Sequence, residues 1–185
     1  MVARTLRAQR KDCLKHHAEI VSVYDKAKDE TAVVMHWYRV SWPSGTDIYN
    51  RGTAVDQARY ELFIQAAFSY PGRSIKTIPA SIQFEVRVWH PGRSFFRTQA
   101  MPELTANVNR EQISLGRILL VKTKTFVDID NGQVSIEHVS AFFTYQGLRC
   151  LIEANEVTMS AGDLTFSLKD HHLEALRDLA SRMSP

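Results

Sequence analysis

A repeat of two that holds over thirteen positions, with an apolar residue at every second one, is the feature that most constrains this chain. It runs through ARYELFIQAAFSY, residues 58–70. One face of this stretch would carry Ala58, Tyr60, Leu62, Ile64, Ala66, Phe68 and Tyr70. A repeat of two belongs to a β-strand, in which successive side chains point to opposite faces, and the helical repeat of about 3.6 fits it poorly. The stretch therefore predicts a long strand with one buried face.

A second alternating stretch, SIQFEVRVW at residues 81–89, follows a Tyr-Pro-Gly turn. Its apolar positions are Ile82, Phe84, Val86 and Val88. Two long strands with matching apolar faces and a proline–glycine turn between them predict an antiparallel pair.

The stretch TAVVMHWYRVSW, residues 31–42, is apolar on both faces. Val33, Met35 and Trp37 alternate with Val34, Tyr38 and Val40. Apolar residues on both faces are typical of a strand that is covered on two sides, so a central strand is predicted here.

Asn131 and Gly132 lie between two more alternating stretches, and this pair favours a type I′ hairpin because both central residues need a positive φ. A two-residue loop would place Thr125 opposite His138 and Val127 opposite Ile136. Upstream, ELTANV and QISLG predict two shorter strands, which are separated by a polar turn at residues 109–111.

The end of the chain changes to helical spacing. A short helix is predicted from about Tyr145 to Ala154, and strands follow in EVTMS and LTFSL. A closing helix would bury a stripe made of Leu173, Leu176, Leu179, Ala180 and Met183. His172 falls within that stripe and His171 outside it. We therefore expect one packing histidine and one surface histidine, pointing too far apart to chelate one ion together.

These patterns together predict an α+β fold that is mostly antiparallel. We expect a bent sheet or two-layer sandwich of about eight or nine strands, with a short helix and a C-terminal helix packed on it. At 185 residues, 44% hydrophobic and 23% charged, the composition is that of a globular protein. Residues 18–185 are predicted to form a single domain, and residues 1–17 a tail or short helix.

Several stretches also resemble a loose family of bacterial β-rich proteins with a C-terminal helix. The matching residues are YDKAKDETAVV (24–34), AAFSYPG (66–72), ISLG (113–116) and TFSLKDHHLEALRDLASRM (165–183). The resemblance covers the last four-fifths of the chain, implies the same architecture and carries over no activity. It departs at Lys169, where similar sequences have Ser or Thr before the final helix. We therefore expect Asp170 or Ser167 to cap that helix.

Cysteine content and the start of the chain indicate the cellular compartment. Cys13 and Cys150 are too few and too widely separated for a disulfide framework or a zinc pattern. The basic start has no apolar segment of a secretory signal behind it, and no stretch approaches the roughly 18 apolar residues of a membrane span. A cytoplasmic protein without membrane contact is expected.

Catalytic and metal-binding patterns are not evident. Seven histidines show neither the H-x-x-x-H spacing nor the H-x-H spacing of a metal site, and no G-x-S-x-G elbow or phosphate-binding glycine loop occurs. We predict no catalytic residue, no metal ligand and no cofactor. Should an enzyme site be gathered from separate strands, His36, His90 and His138 are the first residues to examine.

Tryptophans give the preferred binding hypothesis. Trp42 precedes one turn and Trp89 precedes His90-Pro91, so both could lie at one rim of the sheet. A tryptophan offers a large apolar surface and one N–H donor, which suits a ligand pocket or a subunit interface. The predicted ligand or interface residues are Trp42, Trp89, His90 and His36.

Charge gives weaker guidance about partners. The net charge of +3 is too small to imply a nucleic-acid or membrane partner. Lys122 and Lys124 alternate on one strand face, which is typical of a solvated surface, so nucleic acid is not expected.

The prediction is a non-enzymatic binding or interaction module with a small-molecule or protein partner, forming a homodimer. The alternatives are a small metal-dependent or hydrolytic enzyme, and nucleic-acid binding through the basic N-terminal segment.

Overall fold

The computed structural model describes residues 20–40, 61–91, 103–128, 132–162 and 164–184. These residues form ten strands and two helices. The strands are β1 (Ile20–Asp25), β2 (Glu30–Met35), β3 (Tyr38–Val40), β4 (Glu61–Pro71), β5 (Ile82–Pro91), β6 (Glu103–Val108), β7 (Glu111–Asp128), β8 (Gly132–Phe143), β9 (Val157–Ala161) and β10 (Leu164–Leu168). The helices are α1 (Tyr145–Ile152) and α2 (Asp170–Ser181). Residues 1–17 and Trp42 lie outside the described residues.

All strands belong to one antiparallel sheet with the order β1-β2-β4-β5-β8-β7-β6-β9-β10, and β3 also pairs with β4. β10 contacts β3 near the opposite end of this order, so the sheet is strongly curved. The predicted α+β class with a bent antiparallel sheet is confirmed, although ten strands exceed the eight or nine expected. Neither helix in this part of the chain is long and apolar enough to cross a membrane.

The inner face of the sheet carries the core and both helices, and we call the opposite face the outer face. On β4 and β5 the inner face is formed by Leu62, Ile64, Ala66, Phe68, Ile82, Phe84, Val86 and Val88, all at most 3% exposed. β4 and β5 pair antiparallel with Leu62 opposite Val88. The two alternating stretches thus form the predicted pair, and α2 packs on β4 and on the neighbouring β2.

The predicted central strand at residues 31–42 is divided into β2 and β3. Its pairing with β4 shifts by one residue between them: Val34 lies opposite Ala67, whereas Tyr38 lies opposite Ile64. One inserted residue moves every later side chain to the other face. Val33 and Met35 are therefore buried before the shift, and Val40 after it. Val33, Met35, Tyr38 and Val40 thus share one core face whose parity changes, whereas Trp37 lies on the opposite face.

β7 joins two predicted strands into one strand of 18 residues. The short strand expected at QISLG is continuous with the next because Gly116 forms a bulge rather than a turn. The pairing with β6 shifts there, from Thr105 opposite Ser114 to Leu104 opposite Gly116. Gly116 has a φ of +136°, and a Cβ at this position would lie 2.6 Å from the Phe142 carbonyl oxygen. Only glycine fits without displacement of β8.

The β7–β8 hairpin is present, but its predicted register is wrong. Asp128 lies opposite Gly132 and Thr125 opposite Ser135, whereas Thr125 was expected opposite His138. Three residues, 129–131, separate the two paired positions, so the expected two-residue loop at Asn131-Gly132 does not apply. These three residues lie outside the described part of the chain.

Both helices are held on the inner face by buried apolar residues and by capping contacts. Thr144 caps α1 by accepting a hydrogen bond from the Gly147 amide at 3.2 Å. Arg177 of α2 donates to the carbonyl oxygens of Ile152 and Ala154 at the end of α1. The predicted apolar stripe of α2 is buried, since Leu173, Leu176, Leu179, Ala180 and Met183 are at most 5% exposed.

The N-terminus of α2 differs from the prediction. Lys169 is the N-cap residue, not Asp170 or Ser167. The capping acceptor comes from His172, whose Nδ1 accepts a hydrogen bond from the Lys169 amide at 2.9 Å. An imidazole thus takes the place that Glu or Gln holds in a capping box. The prediction was wrong because it considered only a hydroxyl or a carboxylate as the capping acceptor.

Candidate functional site

The outer face presents a transverse row of basic side chains across five strands. Successive Cα partners are Arg39 on β3, Phe63 on β4, Arg87 on β5, His138 on β8 and Lys122 on β7. We call these five residues the cationic row. Arg39 and Lys122, at its two ends, are exposed, and the three residues between them are half-buried.

A second row lies two residues further along each strand. It consists of Glu61 on β4, Trp89 on β5, Ile136 on β8 and Lys124 on β7. Trp89 and Ile136 are half-buried and Lys124 is exposed. The Arg39 guanidinium pairs with the Glu61 carboxylate at 3.0 Å and joins the two rows at one end. Aromatic and basic side chains therefore alternate over this part of the outer face.

Trp37, Glu85, Arg87 and His138 form a compact group that we call the outer cluster. The Arg87 guanidinium carbon lies 4.1 Å from the centroid of the Trp37 ring, which is a cation–π contact. The His138 ring meets the same indole edge-on at 5.5 Å. His138 Nε2 lies 3.0 Å from Glu85 Oε2. Each side chain thus restricts the rotamers of its neighbours.

The Glu85 carboxylate is further oriented by two polar neighbours. Gln83 donates a hydrogen bond to Oε1 at 2.7 Å, and Ser140 donates to the same oxygen at 3.3 Å. The Glu85 side chain is only 17% exposed, and that of His138 is 27% exposed. The acidic group of the cluster is therefore already engaged, and the cationic and aromatic groups remain the ones that face a ligand.

A second histidine–carboxylate pair lies on the inner face. His90 Nε2 is 3.4 Å from Glu137 Oε2, and Ser135 is the Cα partner of His90. Serine, histidine and glutamate are the residue types of a hydrolytic triad. His90 and Glu137 are fully buried and Ser135 is 5% exposed. A substrate would have to enter the core to reach these groups, so we interpret the pair as structural.

The structure separates the three predicted site residues that it describes, Trp89, His90 and His36. Trp89 lies on the outer face and His90 on the inner face, because neighbouring residues of a strand point to opposite faces. His36 is exposed between β2 and β3, and Trp42 lies outside the described residues. His90 therefore does not share a surface with Trp89, and the predicted rim of Trp42 and Trp89 stays a prediction.

The three histidines proposed as a gathered enzyme site do not meet. His90 faces the core, His138 belongs to the outer cluster, and His36 is exposed at the bulge between β2 and β3. Among the residues that the structure describes, no three His, Cys, Asp or Glu side chains converge as metal ligands would.

His171 and His172 also do not form a metal site. His172 is fully buried and His171 exposed, as predicted. Their rings lie 3.8 Å apart between centroids, closer than their helix positions suggest. Both nitrogens of His172 are engaged, since Nδ1 accepts from the Lys169 amide and Nε2 donates to the Arg39 carbonyl at 3.0 Å. Burial, followed by the charges of His171 and Lys169, lowers the pKa of His172 below its usual 6.5.

The outer cluster was not predicted from the sequence. Trp37 was assigned to a core face because the parity shift between β2 and β3 has no glycine or proline to mark it. Glu85 and Arg87 were correctly placed on the polar face of β5. Their meeting with His138 depends on the pairing of β5 with β8, strands that are far apart in the sequence.

No protein-family model, no curated protein and no solved structure matches this chain. The resemblance to a bacterial β-rich family therefore stays a prediction, and the interpretation of the outer face depends on its geometry alone.

Proposed function

We propose that this protein is a non-enzymatic binding module that takes its ligand or partner on the outer face of the sheet. The observation that carries this proposal is the stacking of Arg87 on Trp37 beside His138, on the face opposite to both helices. Tryptophan and arginine are the side chains that contribute most to binding free energy at interfaces.

Mutual contacts prepare the outer cluster for binding. Arg87 and His138 are already restricted by Trp37 and Glu85, so less side-chain entropy is lost when a ligand binds. The stacked guanidinium keeps its N–H edges for an acceptor, and planar acceptors such as carboxylate or phosphate match that geometry. This chemistry supports an anionic ligand.

Charge on the outer face points the same way. The two rows contain Arg39, Arg87, Lys122 and Lys124 against Glu61, and the one acidic residue of the outer cluster, Glu85, lies 3.0 Å from His138. Glu61 is paired with Arg39. The buried Ser135, His90 and Glu137 offer no comparable accessible group, so the hydrolytic alternative draws no support from them.

The test is a titration of intrinsic tryptophan fluorescence with anionic probes. Three probes of different chemistry would be used: an acidic peptide, a nucleoside triphosphate and an oligonucleotide. At least one is expected to change the emission of Trp37 or Trp89, and Arg87→Ala is expected to weaken its binding about 10-fold, the loss of one charge-assisted contact.

The matched control is Arg73→Ala. Arg73 makes a cation–π contact with Tyr24, with its guanidinium carbon 4.5 Å from the ring centroid, and belongs to neither row. This variant removes the same charge and the same type of contact, and it should bind as the wild type does. An equal loss of affinity for the probe in both variants, or no fluorescence response to any probe, would contradict the proposal.

A further inference from the structure

We infer that the ligand of the outer face is a single-stranded nucleic acid. The inference rests on the proposed function and adds the ligand class: phosphates would follow the cationic row while bases stack on its aromatic neighbours. Proteins that bind single strands without strong sequence preference combine these two features, a basic track for the backbone and aromatic rings for the bases.

The cationic row has the dimensions of such a track. It crosses five adjacent strands, and strands are spaced about 4.8 Å apart, so the row extends over roughly 19 Å. Basic or titratable side chains hold four of its five positions: Arg39, Arg87, His138 and Lys122. Lys124 adds a further ammonium group in the second row. A chain of several phosphates therefore meets an arginine or lysine on three of the five strands and an imidazole on a fourth.

Aromatic rings lie within and beside this track. Phe63 is part of the cationic row, Trp89 lies one row away on β5, and Trp37 stacks on Arg87. All three are half-buried, so part of each side chain reaches the surface. Bases have π-faces on both sides, and stacking one base on such a ring strengthens binding by roughly 10-fold to 100-fold.

The combination selects among anionic partners. An acidic peptide would satisfy the basic side chains but would bring no regular supply of flat rings for Phe63 and Trp89. A duplex presents phosphates but keeps its base faces stacked inside, where side chains on an open sheet do not reach them. A single strand uses both the charges and the aromatic rings.

Nucleic acid was not predicted as a partner because the basic residues do not cluster along the sequence. Lys122 and Lys124 alone are a weak signal. The register brings Arg39 and Arg87 from two other strands into line with Lys122, and this clustering cannot be seen along the chain.

The experiment measures fluorescence anisotropy of a labelled oligothymidylate of about twelve nucleotides, within the usual range of single-strand sites. The full-length wild type should bind at low salt, and binding should weaken as salt rises. Lys122→Glu combined with Lys124→Glu should weaken binding at least about 10-fold, because two exposed cations become anions.

The charge-matched control is Lys26→Glu combined with Lys28→Glu. Both lysines are exposed in the turn after β1 and lie outside the two rows. This variant has the same net charge as the first, so it should retain binding close to that of the wild type. Equal losses in the two variants would show that only net charge matters and would overturn the inference.

Stacking is tested with Trp89→Leu, which retains an apolar side chain. We expect a loss of about 10-fold with an unchanged dependence on salt, because a ring is removed and no charge is. Circular dichroism would verify that each variant is folded. Absence of oligonucleotide binding by the wild type, or equal affinity for a duplex of the same length, would overturn the inference. If an acidic peptide binds instead and Arg87→Ala weakens it, the proposed function stands and the nucleic-acid inference fails.

Discussion

His172 connects the start of α2 to β3 through both of its ring nitrogens. Nδ1 accepts from the Lys169 amide and Nε2 donates to the Arg39 carbonyl, so the ring must be neutral with its proton on Nε2. Protonation of Nδ1 would remove the acceptor that the Lys169 amide needs. The protonation state of the His172 imidazole therefore affects how the start of α2 is held against β3.

We expect stability to fall in mild acid because of His172. Its pKa is lowered in the folded protein by burial and by the charges of His171 and Lys169. The unfolded chain therefore takes up a proton first. The free energy of unfolding therefore has its full His172 contribution above pH 6.5, the pKa of the residue in the unfolded chain. It decreases as pH falls from there through the lower pKa of the folded protein. Urea unfolding at a series of pH values measures this loss.

Two variants separate this effect from the rest of the acid response. His172→Gln keeps an acceptor at the third helical position and does not titrate, so its stability should depend less on pH than that of the wild type. His171→Gln removes the exposed neighbour and should keep most of the wild-type dependence. His172→Leu leaves two backbone groups without their partner and should cost about 2–4 kcal/mol at neutral pH. An unchanged pH dependence in His172→Gln would contradict the assignment.

The helical pattern predicted correctly which of the two histidines is buried, because burial follows from position on a helix. It could not predict the hydrogen bonds of His172. Arg39 is 133 residues away in the sequence, and the contact exists only after the sheet has brought β3 to the start of α2.

Among the structural elements, β7 shows most clearly what alternation can and cannot predict. Strands were found wherever the repeat of two was regular, as in β4 and β5. The register shift that divides the predicted strand at residues 31–42 into β2 and β3 was missed, and so was the continuity of the two halves of β7. In both places a bulge interrupts the repeat of two. Gly116 resembles a turn residue in the sequence and is a bulge residue in the fold.

Gly116→Ala should strongly destabilise the protein. Its φ of +136° strains any residue with a side chain, and the new methyl would lie 2.6 Å from the Phe142 carbonyl oxygen. We expect a loss of about 3 kcal/mol or more in the free energy of unfolding, from strain and from displacement of β8.

The control for this substitution is Gly72→Ala. Gly72 also has a positive φ, at +73°, but a Cβ there meets no atom within 4 Å. This variant should lose only about 1 kcal/mol, because it carries the backbone strain without the clash. Chemical denaturation compares the two, and equal losses would show that the close approach to β8 has no energetic consequence.

For the whole molecule, the class of fold was predictable and the order of strands was not. Pairs that are close in the sequence, such as β4 with β5, follow from short connections. The pairing of β5 with β8 and of β6 with β9 depends on the curvature of the sheet, which local patterns do not encode. The outer cluster and both rows are built across the β5–β8 junction, so the candidate site could not be predicted from the sequence.

The edge of β1 is where we propose that two copies of the chain associate. Among the strands that the structure describes, β1 ends the strand order, and Val21 and Val23 on its outer face are 42% and 57% exposed. No charged residue occurs between Ile20 and Tyr24, so this edge has none of the lysines or prolines that normally prevent strand pairing. Antiparallel pairing centred on Ser22 would place Val21 of one copy opposite Val23 of the second and would continue the sheet.

Sedimentation over a range of concentrations should therefore show a dimer, and Val23→Lys should weaken it. A lysine would replace a valine twice in a symmetric interface, so the dissociation constant should rise at least about 10-fold. Ile78→Lys is the matched control, since Ile78 is 48% exposed and belongs to the connection between β4 and β5 and not to β1. A wild type that stays monomeric at high concentration would refute dimer formation. If Val23→Lys dimerises as tightly as the wild type, the interface does not include β1, because edge pairing would place this lysine opposite Val21 of the second copy and remove their apolar contact.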